Sequence, residues 1–233
     1  MRYSKPQYRL MGDRSLLVEL GEGLHQDVNR AVQKLFYGLD LLQSDAIREL
    51  QPGYRSLMLV YDPLKISLPA LQSLIERVYR SLERYHPPEP AHLQVPVAYG
   101  GEFGPDLQWV ADFHRLSTEE VIQLHSKTTY RVYMLGFTPG YPYLGEVPEQ
   151  IATPRRETPR VRVPKGSVGI AQRQSGIYPV ESPGGWQILG RTPLTLFDPR
   201  RRPPSLLQAG DKVSFVPISH KEFTSWKPNP SSK

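Results

Sequence analysis

Between Leu135 and Arg191 the chain passes through glycine, proline, arginine and aromatic residues with almost no helical periodicity, and this stretch limits what the fold can be. It contains Gly136-Phe137-Thr138-Pro139-Gly140-Tyr141-Pro142-Tyr143-Leu144, Pro154-Arg155, Pro159-Arg160-Val161-Arg162-Val163-Pro164-Lys165-Gly166-Ser167, Gln174-Ser175-Gly176-Ile177-Tyr178-Pro179 and Ser182-Pro183-Gly184-Gly185-Trp186. Proline inside a helix removes a backbone donor and clashes with the preceding turn, so long helices are excluded here. Trp186 to Leu189, Leu194 to Phe197 and Val213 to Val216 read as further short strands, with Gly210-Asp211 as one of the turns. Short strands parted by glycine and proline turns predict a closed or nearly closed β-barrel for the second half. The chain has 18 glycines and 24 prolines in 233 residues, below the roughly 25–30% typical of low-complexity sequences, so these residues punctuate an ordered fold.

The first half has a different grammar. Residues 7 to 20 read as strand, with a turn or bulge at Gly12-Asp13. From Gln26, the apolar residues Val28, Ala31, Val32, Leu35, Phe36, Leu39 and Leu42 recur at steps of three and four and mark one face of a helix. Residues 46 to 51 and 55 to 61 predict two strands around Pro52-Gly53. A second helix is capped by Ser67, carries Pro69 in its first turn and buries Leu71, Leu74, Ile75, Val78 and Leu82. With His92 to Tyr99 as the last strand, the order becomes β-α-β-β-α-β, the split βαβ or ferredoxin-like pattern. His86-Pro87-Pro88-Glu89-Pro90 cannot continue a helix and marks the domain boundary, giving domains at 1–88 and 89–219 and a loose tail at 220–233. In the second domain, Leu116-Ser117-Thr118-Glu119-Glu120-Val121 is a capping box that starts a helix ending near His125.

Composition narrows the chemistry. There is no cysteine, which excludes disulfides, thiolate metal sites and a cysteine nucleophile and fits the cytoplasm. The N-terminus lacks the apolar core of a secretion signal, and no stretch reaches the roughly 18 apolar residues of a membrane span. The net charge of +6 is spread along the chain, and no nucleic-acid-binding module is recognisable, so neither nucleic acid nor membrane is an expected partner. Gly166-Ser167-Val168-Gly169 has the wrong spacing for a nucleophile elbow, and Ser167 and Ser182 read as turn serines. The histidines His25, His86, His92, His114, His125 and His220 form no metal-ligand pattern, so no metal site is expected. No Walker A or dinucleotide-binding fingerprint is present.

Arg155, Arg160 and Arg162, with Lys165 and Arg191, read in two ways. They form a guanidinium lining for a carboxylate or phosphate, or a solvated strand edge defended by charge and proline. Tyr141, Tyr143, Tyr178 and Trp186 likewise shape a pocket wall or pack a barrel. Gln174 offers donor and acceptor to an amide-bearing ligand, and Gly184-Gly185 would let backbone approach it closely. His125 either complements the helix dipole or serves as an acid/base.

In their order, these motifs resemble the family of 5-oxoprolinase B subunits, also called the kinase A inhibitor or allophanate hydrolase subunit 1 family. The resemblance adds Tyr99-Gly100-Gly101, Phe103-Gly104-Pro105-Asp106-Leu107, His125-Ser126 and Gly190-Arg191-Thr192 to the motifs above, and departs from the family pattern at Ser175 and Tyr141. It implies an α+β chain with a small ferredoxin-like N-terminal domain and a cyclophilin-like β-barrel C-terminal domain. It also implies a component of an ATP-dependent 5-oxoprolinase that acts with subunits A and C to open 5-oxoproline to glutamate, magnesium accompanying the ATP. A rival member function is regulation of a histidine kinase by binding. On the enzymatic reading Arg155, Arg160 and Arg191 bind carboxylate or phosphate, Gln174 and Tyr178 meet the lactam, Gly184 and Gly185 admit it, and His125 is the acid/base candidate.

Overall fold

The computed structural model describes residues 1–227, and the chain divides into two compact units, Met1–Glu89 and Pro90–Lys233. In the first unit β1 (Arg2–Leu10) and β2 (Ser15–Gly21) form a hairpin. They are followed by α1 (Gln26–Asp40), β3 (Ile47–Pro52), β4 (Ser56–Tyr61) and α2 (Leu68–Arg80). The sheet is antiparallel throughout, in the order β1-β2-β4-β3. The topology is therefore ββαββα, which corrects the expected βαββαβ order. The physical reason lies at Gly12, whose φ of +83° turns the chain back. The run of strand-like residues from 7 to 20 is thus two strands, and β1 takes the sheet edge that His92–Tyr99 was expected to fill. A split βαβ core survives, because β2 and β3 flank β4 with α1 between them in sequence.

Leu16, Val18 and Leu20 on β2 and Leu57, Leu59 and Tyr61 on β4 alternate onto one face. They pack against Val28, Val32, Leu35 and Leu39 of α1 and Leu71, Ile75 and Val78 of α2. Ser67 Oγ accepts the Ala70 N–H at the start of α2. At roughly 1.5–3 kcal/mol per fully buried aliphatic side chain, this core outweighs solvent-screened surface pairs such as Lys34–Glu83.

The second unit opens with β5 (His92–Tyr99), α3 (Leu107–His114) and α4 (Thr118–Lys127). The strands β6 (Thr129–Leu135), β7 (Pro142–Gly145), β8 (Arg160–Val163), β9 (Ser167–Ala171) and β10 (Gln174–Ile177) come next. β11 (Ser182–Gly184), β12 (Gln187–Arg191), β13 (Lys212–Ile218) and α5 (His220–Thr224) complete it. Seven strands close a barrel in the order β10-β7-β6-β13-β5-β12-β9, while β8 and β11 pair separately. β5 and β13 are parallel, and the other neighbours are antiparallel. Val95, Val97, Val132, Leu144, Val168, Ile170, Leu189 and Phe215 belong to its buried core.

The capping box forms as predicted: Ser117 Oγ accepts the Glu120 N–H at 3.2 Å, and Glu120 Oε2 accepts the Ser117 N–H at 2.7 Å. Leu194 to Phe197, expected as a strand, makes only a single bridge, Phe197 to Ser205, because Pro193, Pro199, Pro203 and Pro204 deny the segment a ladder. The tail expected to be loose from His220 begins instead with α5, capped by Ser219 and Glu222. Its Phe223 ring lies 4.3 Å from Phe103, and His220 Nε2 lies 2.9 Å from the Tyr99 carbonyl oxygen. The rest of that expected tail, 228–233, lies outside the described residues. No helix is long and apolar enough to cross a membrane among the described residues.

Gly104 leads into α3 so close to β12 that a Cβ there would overlap the Leu189 carbonyl oxygen. Gly104→Ala is expected to cost about 2 kcal/mol or more, measured as a lowered urea midpoint. Gly185→Ala, whose Cβ would meet Pro159 Cγ at 3.6 Å, should change stability by no more than about 0.5 kcal/mol. Equal effects from the two would refute the packing argument.

Candidate functional site

Successive residues of an extended chain point to opposite sides, so Tyr141 and Tyr143, two apart at the start of β7, face the same way. Tyr178, just beyond β10, meets Tyr141 edge to face at 5.1 Å and 89°. Trp186, just before β12, meets Tyr141 at 5.8 Å and Tyr143 at 6.0 Å. Phe137 reaches Tyr141 at 5.6 Å and 80°, although it is 62% exposed. Edge-to-face pairs of this kind are each worth about 0.5–1.5 kcal/mol beyond burial and hold the rings rigidly. Together with Arg155, Arg156, Pro159, Pro183, Gly184 and Gly185, these rings line a cleft of about 400 Å³.

The glycines have distinct tasks. A Cβ at Gly184 would overlap the Tyr178 hydroxyl, so Gly184 makes room for the ring that walls the cleft. A Cβ at Gly185 would make only ordinary van der Waals contact, with Pro159 Cγ at 3.6 Å, so packing does not require glycine there. The Tyr178 hydroxyl already meets the Trp186 N–H and the Tyr141 hydroxyl, which makes it a wall element more than a free donor.

Asp106, at the start of α3, fixes the other side. It is 4% exposed, and its Oδ2 accepts the Ile188 N–H at 2.6 Å. Its Oδ1 accepts from Arg160 Nη2 at 2.6 Å and Arg156 Nη1 at 3.1 Å. A buried carboxylate is costly unless it is paired and hydrogen-bonded, and Asp106 has both kinds of partner. Through it the arginine loop is tied to the cleft wall, with the Arg156 N–H donating to the Gly185 oxygen at 2.8 Å. Arg155, next to the pinned Arg156, is exposed and has no carboxylate partner among the described residues. Burial raises the Tyr143 and Tyr178 hydroxyls above the ordinary tyrosine range, and the Arg155 charge partly offsets this at both.

The structure thus brings together Arg155, Tyr178, Gly184 and Gly185 of the residues predicted from sequence, and separates the rest. Arg160 is engaged by Asp106. Arg191 donates from Nε to the Lys165 oxygen at 2.7 Å and stacks over Phe223, away from the cleft. Gln174 is buried on β10, paired in register with Gly145 and Ala171. His125 is fully buried: Nδ1 lies 2.8 Å from the Tyr99 hydroxyl, Nε2 3.0 Å from Ser175 Oγ, and the ring stacks on Phe215 at 4.4 Å. This geometry disagrees with the acid/base role expected of it, since the ring has no exposed surface and both nitrogens are taken up by protein hydroxyls. Asp106 and Arg156 were missed by the sequence reading. Their link spans 50 residues, and the only local signal was an acidic residue preceding an apolar helix.

The closed barrel and its cleft define a known class. The chain belongs to the carboxyltransferase domain family, subdomains C and D, whose model matches residues 6–207. Within it, the chain is 42% identical over 231 residues to the B subunit of 5-oxoprolinase from Bacillus subtilis (strain 168), covering 95% of this chain and 96% of that one. It is 43% identical over 211 residues to the 5-oxoprolinase B subunit of Escherichia coli O157:H7, covering 89% of this chain and 94% of that one. Among solved structures, TTHA0988 superposes with a TM-score of 0.77 at 37% identity over 94% of this chain, which spans 41% of that longer protein.

Burial lowers the His125 pKa from 6.5 to about 3, so the ring is neutral when folded. A folded pKa below the unfolded one means that the unfolded chain gains the proton first, so this contribution is complete above pH 6.5 and is lost as pH falls toward 3. Between pH 6.5 and 4.5 the loss from this group should be about 2 kcal/mol. Urea unfolding of wild type and His125→Gln across that range checks it: the variant should be less stable at neutral pH and show a flatter pH dependence, and parallel curves would refute the assignment.

Proposed function

We propose that this chain is the B subunit of an ATP-dependent 5-oxoprolinase of the cytoplasm, working with subunits A and C to open 5-oxo-L-proline to L-glutamate, and that the aromatic cleft holds the lactam. The observation that carries this reading is Arg155: a guanidinium without a carboxylate partner, at an aromatic cleft of about 400 Å³ whose other arginine is already engaged by Asp106. A planar fork suits a carboxylate bidentately, and flat apolar rings suit a five-membered ring. The end-to-end similarity to two 5-oxoprolinase B subunits supports the same assignment.

The chemistry accounts for ATP. A lactam is a stable amide. Transfer of the γ-phosphoryl group of ATP, with magnesium, to the lactam oxygen forms a P–O bond, releases ADP and makes the ring carbon electrophilic. Water then adds to that carbon, the C–N bond breaks, and phosphate is displaced by a second water to leave glutamate. The role assigned to this chain is to hold the lactam in place and place Arg155 at its carboxylate; positioning and charge stabilisation dominate phosphoryl transfer.

Glutamate release by the reconstituted three-component complex tests the reading. Leaving out this chain should abolish ATP-dependent release, and unchanged activity would refute it. Arg155→Ala should raise the KM for 5-oxoproline about tenfold or more, with Arg155→Lys recovering part of the loss. An unaltered KM in a folded Arg155→Ala complex would remove Arg155 from the site.

A further inference from the structure

Several cations of the barrel unit have a carboxylate partner. Arg162 pairs with Glu181, Arg173 with Glu146 and Arg200 with Asp198. Lys165, Arg191, Arg201 and Arg202 form a contrasting group, with no carboxylate bonded to any of them among the described residues. Carbonyl and hydroxyl oxygens hold them instead. Arg191 Nε donates to the Lys165 oxygen at 2.7 Å, and Lys165 Nζ reaches Thr195 Oγ1 at 3.4 Å. Arg201 Nη2 donates to the Thr195 oxygen at 2.8 Å, and Arg202 Nη1 to the Arg201 oxygen at 2.9 Å. Such bonds fix the positions of the cations without a carboxylate contact, and the nearest acid, Asp198, acts on Arg201 only through its charge.

Lys165 and Arg201 face a common cleft of about 490 Å³, completed by Thr195, Phe197, Asp198 and Arg200. Asp198 is the acidic residue of this lining, and it is held by Arg200 through two bonds of 3.0 and 3.1 Å. That pair cancels, so Lys165 and Arg201 set the sign of the cleft. A single carboxylate is satisfied by one guanidinium fork, whereas two cations anchored side by side on Thr195 in one cleft suit an anion carrying several charges along its length. The cleft also adjoins the aromatic site through shared backbone. Gly140, in the loop carrying Phe137 and Tyr141, backs onto Phe197, and the Gly166 N–H beside Lys165 donates to the Tyr178 oxygen at 2.7 Å.

We propose that the cleft between Lys165 and Arg201 binds a polyphosphate, either the triphosphate of a nucleotide or an inorganic chain. This deepens the function proposed above and rests on it for the role of a nucleotide, while binding itself is a property of this chain alone.

The test uses the full-length chain and titrates tripolyphosphate and ATP by calorimetry at about 150 mM salt, with and without magnesium. Saturable binding of both is expected, and ATP binding tighter than tripolyphosphate would identify the nucleotide as the source. Lys165→Ala and Arg201→Gln, each checked for folding by circular dichroism, should weaken binding about tenfold or more, and Lys165→Arg should restore most of it. Arg173→Ala removes the same charge elsewhere and should shift the affinity less than twofold. Absence of saturable binding, equal weakening by all charge-removing variants, or competition by polyglutamate as strong as by tripolyphosphate would overturn the proposal. If polyphosphate fails to bind while the complex turns over and depends on Arg155, the polyphosphate cleft alone is refuted and the oxoprolinase role stands.

Discussion

The carboxylate of Asp106 is the constraint on which the site depends. One oxygen holds the backbone of β12, and the other holds two guanidinium groups from a loop 50 and 54 residues away. Breaking a buried pair of this kind by removing one partner typically costs about 3–5 kcal/mol, because the other charges stay buried without compensation. The cleft wall, the arginine loop and the start of α3 are consequently one cooperative assembly. Arg155 owes its freedom to this arrangement: its neighbour Arg156 carries the structural duty, and Arg155 is left facing outward with its charge available.

Charge is therefore divided by task along the barrel unit. Arg156 and Arg160 neutralise a buried anion, Arg162 and Arg173 form surface pairs, and Arg155, Lys165 and Arg201 have no carboxylate bonded to them among the described residues. Residues that composition treats as one basic population thus belong to different classes, set by what stands within about 4 Å of each. The two readings of these arginines divide residue by residue: Arg162 on β8 pairs with Glu181 at the surface, and Arg155 lines the aromatic cleft.

Local patterns were the legible part of the sequence. The periodic faces of α1 and α2, the Ser67 cap and the Ser117–Glu120 capping box are written within a few residues of one another and formed, except that Leu42 lies past the end of α1 and is exposed. What failed was non-local. His92–Tyr99 has the alternation of a strand, but nothing in those residues specifies a parallel partner at Lys212–Ile218. Leu194 to Phe197 has strand-like composition and makes only one bridge because the prolines that flank it and its partner segment remove donors. His125 looked available at a helix end, and only the closed barrel shows it bonded to Tyr99 and Ser175. The cleft was legible as a density of glycine and aromatic residues, whereas Asp106, its organiser, stands outside that stretch.

The parallel pairing of β5 with β13 has a consequence for how the chain is made. These strands open and close the barrel unit, and β13 lies between β5 and β6 in the closed sheet. On a ribosome, where the chain emerges from its N-terminus, the first unit can assemble as soon as α2 is released, since every strand of its sheet precedes that helix. The barrel cannot seal until Lys212–Ile218 has been synthesised, so β5 and β6 wait with exposed edges for most of the unit's length. Long-range closure of this kind slows folding and prolongs the exposure of unpaired strands. The price of a continuous barrel is thus a late, nearly all-or-none commitment, made only when the last strand arrives.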